Sequence, residues 1–303
     1  MCATSMKYTS AGLVATGGAS VCHFIMVIVF VGKLDWGFEG VAIATSIHLF
    51  LRFVFSRIYL SFISELQEVQ DVTFFSKETF ENLGYQLNMG LMQMLMGIWG
   101  WWAFDIFTLI CSYLSVEVIS AQTVMRSLGL LTFMIPVGVS MASAILIGQN
   151  IGIGDIRAIK HYYRVCMILS AFIGLAQILV LIPARDPIIS IFTQEEAVVE
   201  QMRLAWSIFL AFVFFDTTQG VAMSAIRAAG QQKYGAIITA CAYFIIGIPA
   251  ACIFVFKYDF GIRGIWGGPT IAVTFLTITY MSIFQAINWQ DLIEKSKQQR
   301  LAD

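Results

Sequence analysis

Apolar residues in this chain fall into long blocks separated by short polar breaks. Eight blocks can be drawn, at 11–33, 37–62, 84–113, 119–148, 163–183, 201–226, 233–257 and 264–286. Each is long enough to cross roughly 30 Å of hydrocarbon, which takes about 20 helical residues. A lone strand in lipid leaves its backbone N–H and C=O groups unpaired, so every block is predicted to be a helix. Pro136, Gly138, Gly247, Pro249 and Pro269 fall inside blocks. In water they would break helices, but in a bundle a neighbouring helix or cavity water satisfies the freed carbonyls. The pattern predicts an all-α membrane protein with about eight transmembrane helices.

Residues 30–40, FVGKLDWGFEG, return at 254–264 as FVFKYDFGIRG. Phe30, Val31, Lys33, Asp35, Gly37 and Gly40 have identical counterparts 224 residues on, in Phe254, Val255, Lys257, Asp259, Gly261 and Gly264. Both copies join two blocks, so blocks one and two correspond to blocks seven and eight. A repeat of this kind defines the building unit. On that unit, 84–286 is one complete six-helix bundle, a C-lobe, and 1–62 holds the last two helices of an N-lobe. The stretch 63–83 is then an inter-lobe linker on the cytoplasmic side, and 287–303 a cytoplasmic tail. A unit starting 224 residues before residue 84 begins about 140 residues upstream of Met1. The first four of twelve helices are therefore expected to be absent from the chain. A shift by an even number of helices preserves orientation, which predicts parallel repeats about an axis along the membrane normal.

Composition agrees with a membrane protein. The 303 residues are 58% hydrophobic and 12% charged, against about 25% charge in a soluble domain. The net charge of −1 argues against a nucleic-acid partner. Cys2, Cys22, Cys111, Cys166, Cys241 and Cys252 show no CxxC spacing and mostly sit inside apolar blocks. They read as small buried hydrophobes rather than a disulfide or metal framework. The first block follows Lys7 but is too long for a signal-peptide core, so it reads as a membrane helix. Arg157, Lys160 and Arg164, then Arg227 and Lys233, then Lys295, Lys297 and Arg300 mark alternate connections as cytoplasmic. Glu195, Glu196 and Glu200 mark 184–200 as outside, and both termini come out cytoplasmic. The stretch 63–82 is acidic, with Arg52 and Arg57 near its membrane edge.

The segment 215–249, FDTTQGVAMSAIRAAGQQKYGAIITACAYFIIGIP, resembles a motif of the multidrug and toxin extrusion (MATE) family, eukaryotic type. Pro136-Val-Gly-Val-Ser140 and Gly148-Gln149-Asn150-Ile151-Gly152 with Asp155 are similar to a second family motif. Gly261-Ile-Arg-Gly264-Ile-Trp266-Gly267 and Asn288-Trp289 resemble two more, in the family's order. The resemblance covers nearly the whole chain and implies helices five to twelve of twelve. It implies a secondary antiporter, exporting organic, often cationic, compounds or xenobiotics in exchange for protons or sodium. No other cofactor or metal is implied. Gly148–Asp155 is glycine-rich but follows a helix rather than a strand and lacks Lys-Ser/Thr, so it reads as a tight turn, not a phosphate loop.

Asp216 lies near the middle of block six. An ionised carboxylate at bilayer depth is costly, so one that persists usually lines a cavity. The resemblance implies an ion-coupling role for it, and a packing hydrogen bond from a permanently protonated acid is the alternative. Asp105 ends the run Trp99-Gly-Trp101-Trp102-Ala-Phe104-Asp105, similar to a family motif with two acids. The first of those acids is replaced here by Gly100, and a third family acid by Ser127 beside Arg126. Asp105 and Arg126 each lie about two turns from the outer end of antiparallel helices, a comparable depth of roughly 12 Å. An ion pair between them and a coupling role for Asp105 are both open. Trp101 and Trp102 can floor a cavity for organic cations through cation–π contact, or simply pack. Gln219 and Tyr243 are cavity-lining candidates on the resemblance alone, and Arg126 is a third. The 14 Met residues suit an adaptable wall. His23 and His48 look isolated, without metal-ligand spacing.

The chain is expected to be no enzyme, since clustered His, Asp or Cys near one membrane face is missing from the pattern. Its partners are small organic substrates and the lipid bilayer, in the plasma membrane or a vacuolar or vesicular membrane, and a full-length form is expected to be monomeric. A lipid-linked precursor flippase of the same superfamily ranks second, because interior Arg is limited to Arg126. An inactive truncated fragment is the third reading: two helices of an N-lobe do not enclose half a cavity, so the chain alone is not expected to transport.

Overall fold

The structure, a computed structural model, describes residues 9–63 and 83–302. Among these the secondary structure is helical with no strand, and eight helices are long and apolar enough to cross a membrane. The chain divides at residues 83 and 84 into two compact units. The first holds α1 (Thr9–Val27, continued by a π-wound turn Ile28–Lys33) and α2 (Gly37–Ser61). The second holds α3 (Leu83–Cys111), α4 (Val116–Ile153), α5 (Ile156–Leu181), α6 (Arg185–Phe192), α7 (Glu196–Ala228), α8 (Gln232–Lys257), α9 (Ile262–Ala286) and α10 (Trp289–Ala302). Six of these are membrane-length, so the second unit is a six-helix bundle. Of the expected linker 63–83, residues 64–82 lie outside the described residues.

The repeat is a structural device, and four of its six identities set the path of the backbone. In both copies the helix ends in a π-wound turn, at Ile28–Lys33 and Ile253–Lys257. Phe30 O then accepts from Trp36 N at 3.0 Å, and Phe254 O from Phe260 N at 3.0 Å. The chain reverses through Asp35 (φ 55°) and Gly37 (φ 52°), matched by Asp259 (φ 56°) and Gly261 (φ 52°). Asp tolerates the left-handed region better than most residues and Gly enters it freely. The next helix then crosses close to the last. A Cβ at Gly264 would lie 2.9 Å from Phe254 Cβ, and one at Gly40 3.1 Å from Phe30 Cβ.

In the second unit α7 lies at the centre, packed on α4, α5 and α9. Pro136 has no N–H for the carbonyl of Thr132, four residues earlier in α4. Gln177 of α5 fills the gap: its Nε2 donates to Thr132 O at 2.8 Å. Thr217 of α7 in turn donates to Gln177 Oε1 at 3.0 Å. One side-chain relay thus repairs the break and ties three helices together. Helices α8 and α9 approach where Gly268 meets Gly247; a Cβ at Gly268 would lie 2.6 Å from Gly247 O. Small residues allow such contact between membrane helices.

Two expected connections are corrected, and the tail gains a structure. The connection 149–162 shrinks to two residues, since α4 runs to Ile153, Gly154 takes φ 88° as its C-cap, and Asp155 Oδ1 accepts from Ala158 N at 3.0 Å to start α5. Polar residues at 149–152 stay helical because hydropathy, unlike capping, does not end a helix. The connection 184–200 contains α6, whose Asp186 accepts from Arg185 (3.2 Å) and from Arg203 of α7 (2.9 Å). The tail is the helix α10, anchored by buried Trp289 and Ile293; Trp289 sits 4.8 Å from the Phe284 ring.

Gly264→Ala is expected to lower stability by about 1–3 kcal/mol through overpacking, and Gly40→Ala by less, read from thermal unfolding in detergent. Gln177→Leu leaves the Thr132 carbonyl unpaired and is expected to cost about 1–2 kcal/mol, while Gln177→Glu, which keeps an acceptor for Thr217 but loses the donor, is not expected to rescue it. Hydrogen bonds from Arg185, then from Arg203, hold the Asp186 carboxyl below its ordinary value. The pairing of α6 with α7 is therefore complete above the ordinary carboxylate pKa and is lost as pH falls through the lowered one. Amide exchange in α6 should accelerate only in that acid range.

Candidate functional site

Five helices of the second unit contribute side chains to a common cavity of about 160 Å3. On α3 the stripe is Gly97, Gly100, Trp101 and Phe104, spaced i, i+3, i+4, i+7. On α4 the same spacing gives Arg126, Gly129, Leu130 and Phe133. Helix α7 supplies Phe212, Asp216, Gln219 and Met223, α8 supplies Thr239 and Tyr243, and α9 supplies Trp266. The volume matches that of an engineered cavity that admits benzene, about 150 Å3.

The walls are mainly aromatic. Phe104 lies 5.6 Å from Phe212 and 6.2 Å from Trp266, and Phe212 lies 5.3 Å from Trp266, all tilted or edge-to-face. Rings in this arrangement support one another and present faces and edges to a ligand. Gly100 leaves open the space beside Tyr243: a Cβ there would meet the Tyr243 ring at 3.5 Å. Gln219 Nε2 reaches Met223 Sδ at 3.6 Å. Thr239 Oγ1 and Tyr280 OH are 2.6 Å apart and both reach the Gly235 carbonyl, which fixes the start of α8 against α9.

Two charges face the cavity. Asp216 is half-buried and has no hydrogen-bond or ion-pair partner among the described residues. Arg126 Nη1 donates to Asp105 Oδ1 at 2.7 Å, with side chains 26% and 63% exposed. Asp105 does not line the cavity; it sits one turn beyond Trp101 on α3 and meets Arg126 there. Trp102 does not line it either, which corrects its placement: one residue past Trp101 it points about 100° away, half-exposed, with its ring 5.5 Å from Trp99. Trp101, Gln219, Tyr243, Arg126 and Asp216 do line it. Sequence reasoning missed Phe133, Phe212, Thr239 and Trp266; for the first three the signal was their helical register with Arg126, Asp216 and Tyr243, and Trp266 had no such partner on α9.

In the first unit His23 and His48 are not isolated. Their rings lie 5.1 Å apart, His23 Nε2 is 3.3 Å from Thr45 Oγ1, and His48 Nδ1 is buried without a partner. The residues are 25 apart on adjacent helices of a hairpin, a relation that linear spacing does not reveal. No group of three or more metal-capable side chains occurs among the described residues. Of the thiols, Cys111 and Cys166 are buried, and Cys22, Cys241 and Cys252 half-buried.

Residues 93–253, more than half of the chain, match the MatE family. Multidrug and toxin extrusion protein 1 of Oryctolagus cuniculus is 24% identical over 287 residues, covering 94% of this chain and 50% of the rabbit protein. An uncharacterised transporter of Schizosaccharomyces pombe is 26% identical over 266 residues, covering 88% and 49%. The crystal structure of the eukaryotic MATE transporter AtDTX14 superimposes with a TM-score of 0.89 at 22% identity, over 94% of this chain and 64% of that one. The chain thus spans about half the length of the curated relatives it matches.

A double-mutant cycle of Asp105→Asn and Arg126→Gln is expected to give a coupling energy on the order of 1 kcal/mol in detergent unfolding, because Asp105 is exposed.

Proposed function

The chain belongs to the MatE family and is an integral, multi-pass membrane protein, and we propose that it works as a secondary active antiporter. It exports organic, often cationic, compounds in exchange for protons or sodium. The observation that carries this reading is Asp216, a carboxylate without a partner, midway along a membrane helix, in an aromatic cavity. Such a group accepts either a proton or a positively charged ligand. The two compete for one site, so binding one releases the other, and a gradient of the first drives movement of the second. The rings of Phe104, Phe212 and Trp266 supply apolar area and cation–π attraction, and Met223 adds an adaptable surface.

Asp105 takes the structural role in this proposal, since Arg126 Nη1 engages its Oδ1 at 2.7 Å. Access to the cavity alternates between the two faces of the membrane, each state stabilised by what occupies it. The protein is proposed to sit in the plasma membrane or a vacuolar or vesicular membrane, monomeric, with both termini cytoplasmic.

Membrane vesicles from cells expressing the native gene test this. A fluorescent organic cation should be exchanged when a proton or sodium gradient is imposed, and Asp216→Asn should reduce that exchange at least about a hundredfold. Asp105→Asn should retain most of it. Gradient-independent leakage, equal in wild type and Asp216→Asn, would sink the antiport reading and favour an inactive relative.

A further inference from the structure

We propose that the exposed side of α5 binds an anionic phospholipid of the surrounding bilayer, its headgroup held at the Ile156 end of the helix. This site is separate from the aromatic cavity and does not depend on what the cavity carries.

Helix α5 has two faces. Ile159, Tyr163, Cys166, Ser170 and Gly174, three or four residues apart, are buried against the bundle. The opposite face begins with Arg157, Lys160, His161 and Arg164, spaced i, i+3, i+4 and i+7 and all exposed. It continues as Ile168, Phe172, Leu175 and Leu179, exposed as well, Phe172 by 66% and Leu179 by 71%. At 1.5 Å per residue the basic part covers about 10 Å, and the apolar part that follows, from Val165 to Leu181, about 24 Å. The first suits a headgroup layer, and the second most of a hydrocarbon core of about 30 Å.

The basic side chains are uncommitted. Among the described residues none of the four takes part in an ion pair. Asp155, the neighbouring carboxylate, is engaged as the N-cap, with its Oδ1 accepting from Ala158 N at 3.0 Å. Helix α10 brings a further cation to this end, since a Cβ at Gly154 would lie 3.7 Å from Lys297 Nζ. Asp291 of α10 is already paired with Lys295 at 2.8 Å. Charge complementarity therefore calls for an anion, and Arg, Lys and His N–H groups suit phosphate oxygens. The apolar continuation decides which anion. An acidic peptide would match only the first two turns. A phospholipid matches both parts with one molecule, its phosphate on the cations and its acyl chains along Ile168, Phe172 and Leu175. In the orientation proposed above this end is cytoplasmic, the side on which anionic lipids concentrate.

The test offers the purified protein, delipidated in detergent, phosphatidylserine and phosphatidylcholine with identical acyl chains, and counts retained lipids by native mass spectrometry. Each Lys or Arg beside an anionic lipid is worth about fivefold, so phosphatidylserine is expected to outbind phosphatidylcholine on the order of a hundredfold. Arg157→Gln/Arg164→Gln should cut that preference at least about tenfold, whereas Arg157→Lys/Arg164→Lys should keep most of it. Lys257→Gln/Arg263→Gln removes two exposed cations at the α8–α9 turn and should leave the preference unchanged. Lack of preference in the wild type, an unchanged preference in Arg157→Gln/Arg164→Gln, or an equal fall in Lys257→Gln/Arg263→Gln overturns the proposal. Equally effective competition by glycerophosphoserine also overturns it, by marking a site for a soluble phosphate. Competition by polyglutamate does the same, by marking a site for an acidic chain.

Discussion

A membrane interior offers no water to a stranded carbonyl, and this constraint organises the second unit. Pro136 strands the carbonyl of Thr132, and Gln177 and Thr217 answer it in sequence. The relay does more than repair a helix. By holding Thr217 against α5 it fixes the rotation of α7 about its own axis. Asp216 precedes Thr217 by one residue and so points about 100° away, which aims it into the cavity. Gln219 and Met223 follow on the same stripe. The placement of the unpaired acid is thus a consequence of where a proline interrupts a different helix.

The same economy explains the internal repeat. Six identities across 224 residues correspond to a π-wound exit, an Asp and a Gly at positive φ, and a Gly at the crossing. These positions specify backbone shape rather than chemistry, so they persist while the aromatic partner changes from Trp36 to Phe260. Their rings keep company with Phe30 and Phe254 at 5.0 and 6.1 Å.

Much of this was legible in the chain. Span number follows from apolar length, because the bilayer imposes a fixed helix length whatever the packing. The meeting of Asp105 and Arg126 was within reach of a depth argument, although the absence of Asp105 from the cavity lining was not. The end of α4 was misjudged at 148 and α6 was missed within 184–200, because Gly154 and Asp186 act through φ and hydrogen bonds that hydropathy does not register. Trp102 was grouped with Trp101 by adjacency, whereas a helix separates neighbours and gathers residues three and four apart. His23 and His48 met for the converse reason: a hairpin joins positions whose separation carries no periodic signal. The tail helix was visible only as Trp289, Leu292 and Ile293 at helical spacing, too short a pattern to weigh against its polar remainder.

The central claim is that Asp216 exchanges a proton for a positively charged group at one site. Calorimetric titration of 2-phenylethylamine in buffers of differing ionisation enthalpy counts protons directly. Over the range where Asp216 starts protonated, the account predicts release of about one proton per ligand bound, and none in Asp216→Asn. Proton-neutral binding by the wild type at every pH, or the same release from Asp216→Asn, would contradict it.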